Sequence, residues 1–211
     1  MVSPLEHDEA INLVKNYFSQ WEGQKPEPIN IIIEKNKEIT GISYKKDIEQ
    51  STIVYLYTFN DLEKSNELPL RILNHRLGES SNSLLFREIR ENRGLAYDIY
   101  THLEITNNIK TLYIYTAVSE ENIDEAKAAI EETIKSVVDG KIQIGDRDLN
   151  IMKKVHKTAV ISTLEDSSEL CNYMLHQALE GEDIFEFVKD MDRLNMVDIL
   201  KICLLYTSLI A

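Results

Sequence analysis

Every clear strand pattern in this chain lies at or before Val118, and everything after it carries helical spacing. That order constrains the fold more than any other feature. INIIIE (29–34) is a β-branched run and EITGISY (38–44) a weaker candidate. STIVYLYTF (51–59) sets Ile53, Val54, Tyr55, Leu56 and Tyr57 in one stretch of high strand propensity. AYDIYTHLEI (96–105) and KTLYIYTAV (110–118) flank a short polar break that suits a hairpin. Two helices are expected between the third and fourth strands. NELPLRILNHRLG (66–78) has Pro69 for a first turn and Gly78 for a C-terminal cap. SNSLLFREIRENRG (81–94) turns Leu85, Phe86 and Ile89 inward and stops at Gly94.

The clearest helix is SEENIDEAKAAIEETIKSVVDG (119–140). Ser119 can cap it, acids fill its first turn, and Ile123, Ala126, Ile130, Ile134 and Val137 form its apolar stripe. Helical patterns then continue through DRDLNIMKKVHKTAVIST (146–163) and SSELCNYMLHQAL (167–179) to Ile202. Strands, two helices, a hairpin and then several helices make an α+β fold: a mostly antiparallel sheet with helices packed on one face.

Ahead of this body, HDEAINLVKNYFSQW (7–21) places Ile11, Val14, Phe18 and Trp21 on one helical face. EGQKPEP (22–28) breaks that pattern as a linker, so the main boundary is expected near residue 28 and the main domain over 29–202. CLLYTS (203–208) is similar to one reading frame of a widely used transposase library adaptor. Residues 203–211 are therefore expected to be adaptor-derived, with an apolar helix end as the other reading.

Charge excludes several functions. Acids outnumber bases 36 to 23, a net charge of −13, which disfavours nucleic acid and an anionic membrane surface. No apolar run reaches the roughly 20 residues needed to span a bilayer. The start, MVSPLEHDEA, lacks the basic and apolar regions of a signal peptide, so a cytoplasmic setting is expected. Cys171 and Cys203 have no metal-type spacing and suggest no disulfide scaffold.

Little self-contained chemistry is visible. A helical zinc site needs two histidines one turn apart with a glutamate beside one of them. None of His7, His75, His102, His156 and His176 is followed by a second histidine at that spacing, and no metal is expected in this chain. HRLGE (75–79) and HQALE (176–180) each pair one histidine with one carboxylate, a common arrangement on ordinary helix surfaces. No nucleophile elbow or phosphate-cradling glycine loop occurs. Arg87, Arg90 and Arg93 alternate with Glu88 and Glu91, which reads first as a solvated helix face laced with weak ion pairs.

The segment LNHRLGESSNSLLFREIRENRGLAYDIY (73–100) resembles the M16 metallopeptidases, the insulinase, pitrilysin and mitochondrial processing peptidase group. KKDIEQSTIVYLYTF before it and TLYIYTAVSEENIDEAKAAIEETI after it fall where that family has a strand and a strand plus helix. MVSPLEHDEAINLVKNYFSQW is similar to the end of a preceding half, so the resemblance covers residues 1 to about 202. It implies two similar α+β halves closing around a peptide, one with a His-x-x-Glu-His zinc motif and one usually without metal.

This chain resembles the second half, which implies zinc in a partner half and no catalytic residue here. It also implies that Arg90 and Tyr97, seven residues apart, hydrogen-bond a peptide substrate near its scissile bond. A permanently charged guanidinium suits a carbonyl oxygen gaining negative charge, and a phenol adds a second donor. Tyr100 is expected in the strand core and Arg87 on the surface. The chain departs from the family at LGESSNS, where Gly78 stands alone instead of among consecutive glycines. That departure bears on how closely substrate or the other half can approach. The expected function is the peptide-binding, non-zinc half of an M16-type zinc metallopeptidase. The rivals are a non-catalytic partner or structural subunit, and a free-standing α+β ligand-binding domain.

Overall fold

A computed structural model of the chain describes residues 2–23, 32, 38–106, 109–141, 144–180 and 183–210, with backbone only at 180 and 204–210. The chain divides into two compact units, one of residues 1–35 with 156–186 and one of 36–155 with 187–211.

The second unit holds the sheet. β1 (Ser51–Thr58), β2 (Ala96–Thr106) and β3 (Ile109–Val118) run in the order β1-β3-β2, all antiparallel. The hairpin partners β2 and β3 are neighbours, and β1 adds to the free side of β3, with Ile53 opposite Thr116 and Tyr55 opposite Ile114. Strand alternation sorts the central strand cleanly. Leu112, Ile114, Thr116 and Val118 are buried, while Thr111, Tyr113 and Tyr115 turn to the other face.

Helices of the same unit cover the buried face. Leu70, Ile72 and Leu73 of α2 (Glu67–Asn74) and Ala126, Ile130 and Ile134 of α3 (Ile123–Val138) join Ile99, Leu112 and Ile114 in one core. Full burial of such side chains contributes about 1.5–3 kcal/mol each, which is why the apolar stripe of α3 dictates where that helix lies. The α+β architecture with helices on one sheet face is the one the sequence implies.

Polar ties fix the ends. The Lys110 ammonium, almost wholly buried at the start of β3, meets the Glu67 carboxylate at 3.1 Å and donates to the Leu62 carbonyl. A buried charge left alone would be costly, so this pairing locks β3 to the start of α2. The Tyr55 hydroxyl donates to Glu131 of α3 at 2.9 Å. Burial, followed by that carboxylate, pushes the Tyr55 phenol well above its usual range.

The first unit is helical over most of its described residues. It contains α1 (His7–Phe18), α5 (Ser167–Glu180) and parts of α4 (Asp146–Glu165) and α6 (Ile184–Arg193), while α7 (Met196–Ile210) belongs to the sheet-bearing unit. α1 forms where its apolar spacing places it but buries no residue. Trp21 packs edge-on against Phe18 with ring centres 4.9 Å apart. Among the described residues no helix is long and apolar enough to cross a membrane.

Two expectations need correction. EITGISY forms no strand, and Ile39, Ile42 and Tyr44 are exposed. Ile39 and Ile42 are three apart, so in an extended chain they fall on opposite faces, and Gly41 between them adds no side chain to pack. INIIIE lies outside the described residues except for Ile32. Gly78 is also not a helix cap. It sits inside a π-helical turn (His75–Glu79) at negative φ, and a Cβ there would collide with the Thr101 side chain on β2. Glycine is needed here for close approach, and Thr101 in turn donates its hydroxyl to the Asn74 carbonyl at 3.3 Å.

Candidate functional site

The residues singled out by sequence lie on one helix and the strand after it. Ser83, fully buried, starts the helix: its hydroxyl accepts from the Phe86 amide at 3.3 Å and its carbonyl from the Arg87 amide at 3.1 Å. From Phe86 to Asn92 the helix is π-wound, with the Arg93 amide reaching back five residues to the Glu88 carbonyl. A π-turn holds more residues than the 3.6 of an α-turn, so side chains four apart come closer to vertical register. Phe86 and Arg90 are such a pair, and the Arg90 guanidinium carbon lies 4.8 Å from the Phe86 ring centre.

Gly94 then adopts φ +62, a left-handed turn that glycine takes without strain, and buried Leu95 anchors the chain as it enters β2. Here the strand is bulged. Ala96 pairs with Val118 and Ile99 with Thr116, so Tyr97 and Asp98 both oppose Ala117. Counting back from buried Ile99, strict alternation would turn Tyr97 into the core. The extra residue carries it outward instead, leaving it 79% exposed. Buried Thr116 satisfies the irregular backbone by donating to the Asp98 carbonyl at 2.8 Å.

These two distortions bring the expected pair together. The Arg90 guanidinium carbon lies 4.7 Å from the Tyr97 ring centre, so the cation is in contact with the rings of both Phe86 and Tyr97. Arg90 has no ion pair or hydrogen bond from its side chain among the described residues. Its neighbour Arg93 differs completely, donating to Glu88 at 2.7 Å and to Glu132 of α3 at 3.0 Å. Asn92 donates to the other Glu88 oxygen at 2.9 Å, and these bonds, Asn92 first and Arg93 next, hold the Glu88 carboxyl below its usual pKa of 4.5. The ion-pair-laced face expected from sequence therefore exists at Arg93 and is absent at Arg90.

Arg87 is exposed, as expected. Tyr100 is not in the core. It lies on the far face of the sheet, 42% exposed, stacked on Tyr115 at 5.2 Å. Phe86, expected to face inward, does pack against the core, and it also meets Arg90, a contact the pattern of apolar residues does not indicate. The four-residue interval between an aromatic and an arginine was the available clue. Among the described residues no three His, Cys, Asp or Glu side chains converge as metal ligands. His75 meets the Glu79 carboxylate at 3.8 Å, one turn along, but these two alone do not make a zinc site.

Among the described residues, a three-stranded antiparallel sheet with helices on one face, carrying an outward-turned tyrosine beside an arginine, makes this an α+β domain. The family model described as the peptidase M16 inactive domain matches residues 1–154, and the chain belongs to that family. An uncharacterized zinc protease of Mycobacterium leprae is 29% identical over 168 residues, covering 78% of this chain and 37% of that relative. The chain thus spans well under half the length of that relative. Two solved structures share the fold. A protease from Helicobacter pylori superposes with a TM-score of 0.77 at 17% identity, over 94% of this chain and 49% of its own. The peptidase M16 inactive domain from Pseudomonas fluorescens gives 0.62 at 14% identity, over 74% of this chain and 38% of its own.

Proposed function

We propose that this chain is the non-zinc half of an M16-type zinc metallopeptidase and binds a peptide opposite a zinc-bearing half, supplied by the same gene or by a separate subunit. Arg90 and Tyr97 are the substrate-binding donors. The observation that carries this reading is the state of Arg90, a half-buried guanidinium over two rings with no acceptor of its own among the described residues. An arginine that ties elements together through its N–H groups is paired as Arg93 is. One placed for a ligand keeps its N–H groups free, and a peptide carbonyl is an acceptor of the right kind. Tyr97 offers its hydroxyl from the same point.

In this reading the zinc sits in the other half, and this chain supplies no metal ligand. What Arg90 and Tyr97 do is hold the peptide and donate to a carbonyl oxygen as its negative charge grows. Among the described residues β1 and β2 are the outer strands of the sheet, and an extended peptide can add to such an edge through its backbone.

The test combines this chain with the zinc-bearing half and follows peptide hydrolysis. A charged donor made preferentially in the transition state is worth about 1.5–3 kcal/mol, or about one to two decades in rate. Arg90→Ala should therefore lower turnover by about ten- to a hundredfold while zinc content stays constant, and Tyr97→Phe should lower it less. Unchanged kinetics in both variants would leave the rival, a non-catalytic partner subunit. The chain by itself is expected to hydrolyse no peptide, with or without added zinc.

A further inference from the structure

We infer that Phe86 is a positioning residue of this site, acting on substrate only through Arg90. The inference rests on the substrate-binding reading of Arg90 and adds a third residue to it. Three observations carry it. Phe86 lies four residues before Arg90 on a π-wound helix, the geometry that brings that spacing face to face. Its ring covers the guanidinium from one side at 4.8 Å while Tyr97 covers it from another at 4.7 Å. No carboxylate among the described residues contacts Arg90, and the two ring contacts are the interactions that hold its guanidinium.

The physical consequence concerns both order and direction. A free arginine samples many rotamers, and binding has to freeze them. Aromatic faces attract the guanidinium without consuming its N–H groups, whereas a carboxylate would occupy them. The clamp thus holds the cation still and keeps its donors available. Phe86 is itself fixed from behind, since its ring packs against the buried core and its amide donates to Ser83.

Two measurements test the assignment. In the isolated chain, NMR should place the Arg90 side-chain protons upfield, shielded by two rings. Phe86→Leu should remove much of that shift, and Phe86→Tyr should preserve it. In the assembly with the zinc-bearing half, Phe86→Leu should lower kcat/KM roughly three- to tenfold with zinc content unchanged. Phe86→Tyr should restore the rate, and Phe86→Leu should add nothing once Arg90 is already alanine.

A loss that persists in the Arg90→Ala background would make Phe86 merely structural and overturn the inference. So would a clear effect of Arg90→Ala with none from Phe86→Leu, which spares the substrate-binding reading. If Arg90→Ala itself is silent, both readings fall together. Should the leucine variant fail to fold, Phe86→Met keeps the volume without the ring and serves the same comparison.

Discussion

Arg90 and Arg93, three residues apart at one π-wound helix, are treated in opposite ways. At Arg93, guanidinium, carboxylates and an amide close on one another, tying the helix to α3 through Glu132. At Arg90, among the described residues, the cation meets aromatic faces. The difference teaches that charge alternation along a helix does not say which charges are spent on the fold. A π-turn decides it, because its wider winding puts Glu88 opposite Arg93, five residues on, and Phe86 opposite Arg90, four residues on.

The contrast can be broken at its centre. Ile89 lies next to Arg90 on the same helix with its side chain fully buried. Ile89→Ala should cost about 2–5 kcal/mol of stability by chemical denaturation, and both arginine contacts should loosen together. A loss below about 1 kcal/mol would mean that the helix is not anchored by its core face. Arg90→Ala comes next. Its effect should appear in turnover of the two-half assembly, by about one to two decades, and hardly at all in stability. A large fall in the melting temperature would show that Arg90 serves the fold as Arg93 does.

Glu88→Gln should do the reverse, lowering stability slightly at neutral pH and leaving turnover alone. The sign follows from linkage. The Glu88 carboxyl titrates below its usual value of 4.5, so its contribution is present above that value and is lost as pH falls through the lowered one. Wild type and variant should therefore converge in stability once the pH falls below the lowered Glu88 value. A gap that stayed constant into acid would remove the ion pair from the explanation. Smallest of all, Arg87→Ala should change stability by no more than about 0.5 kcal/mol and leave turnover unaltered.

Much of the fold was readable because it rests on periodicity. The stripe of α3 and the alternation of β3 repeat over enough residues that no rearrangement could bury them differently. EITGISY misled because β-branched residues alone do not make a strand without a consistent face. Tyr100 misled for a related reason: the bulge at Tyr97 and Asp98 resets which side of the sheet each later residue meets.

The sequence by itself determined the α+β class and the buried stripes of α3 and β3, and it singled out Arg90 and Tyr97, since each depends on local pattern or on a motif. Tertiary structure decided that Arg90 is unpaired while Arg93 is tied, that Tyr97 turns outward, and that Gly78 serves close packing against Thr101. Those outcomes depend on hydrogen-bond registers, a π-turn in one element and an extra residue in another, which arise only when the helix and sheet are fitted to one core.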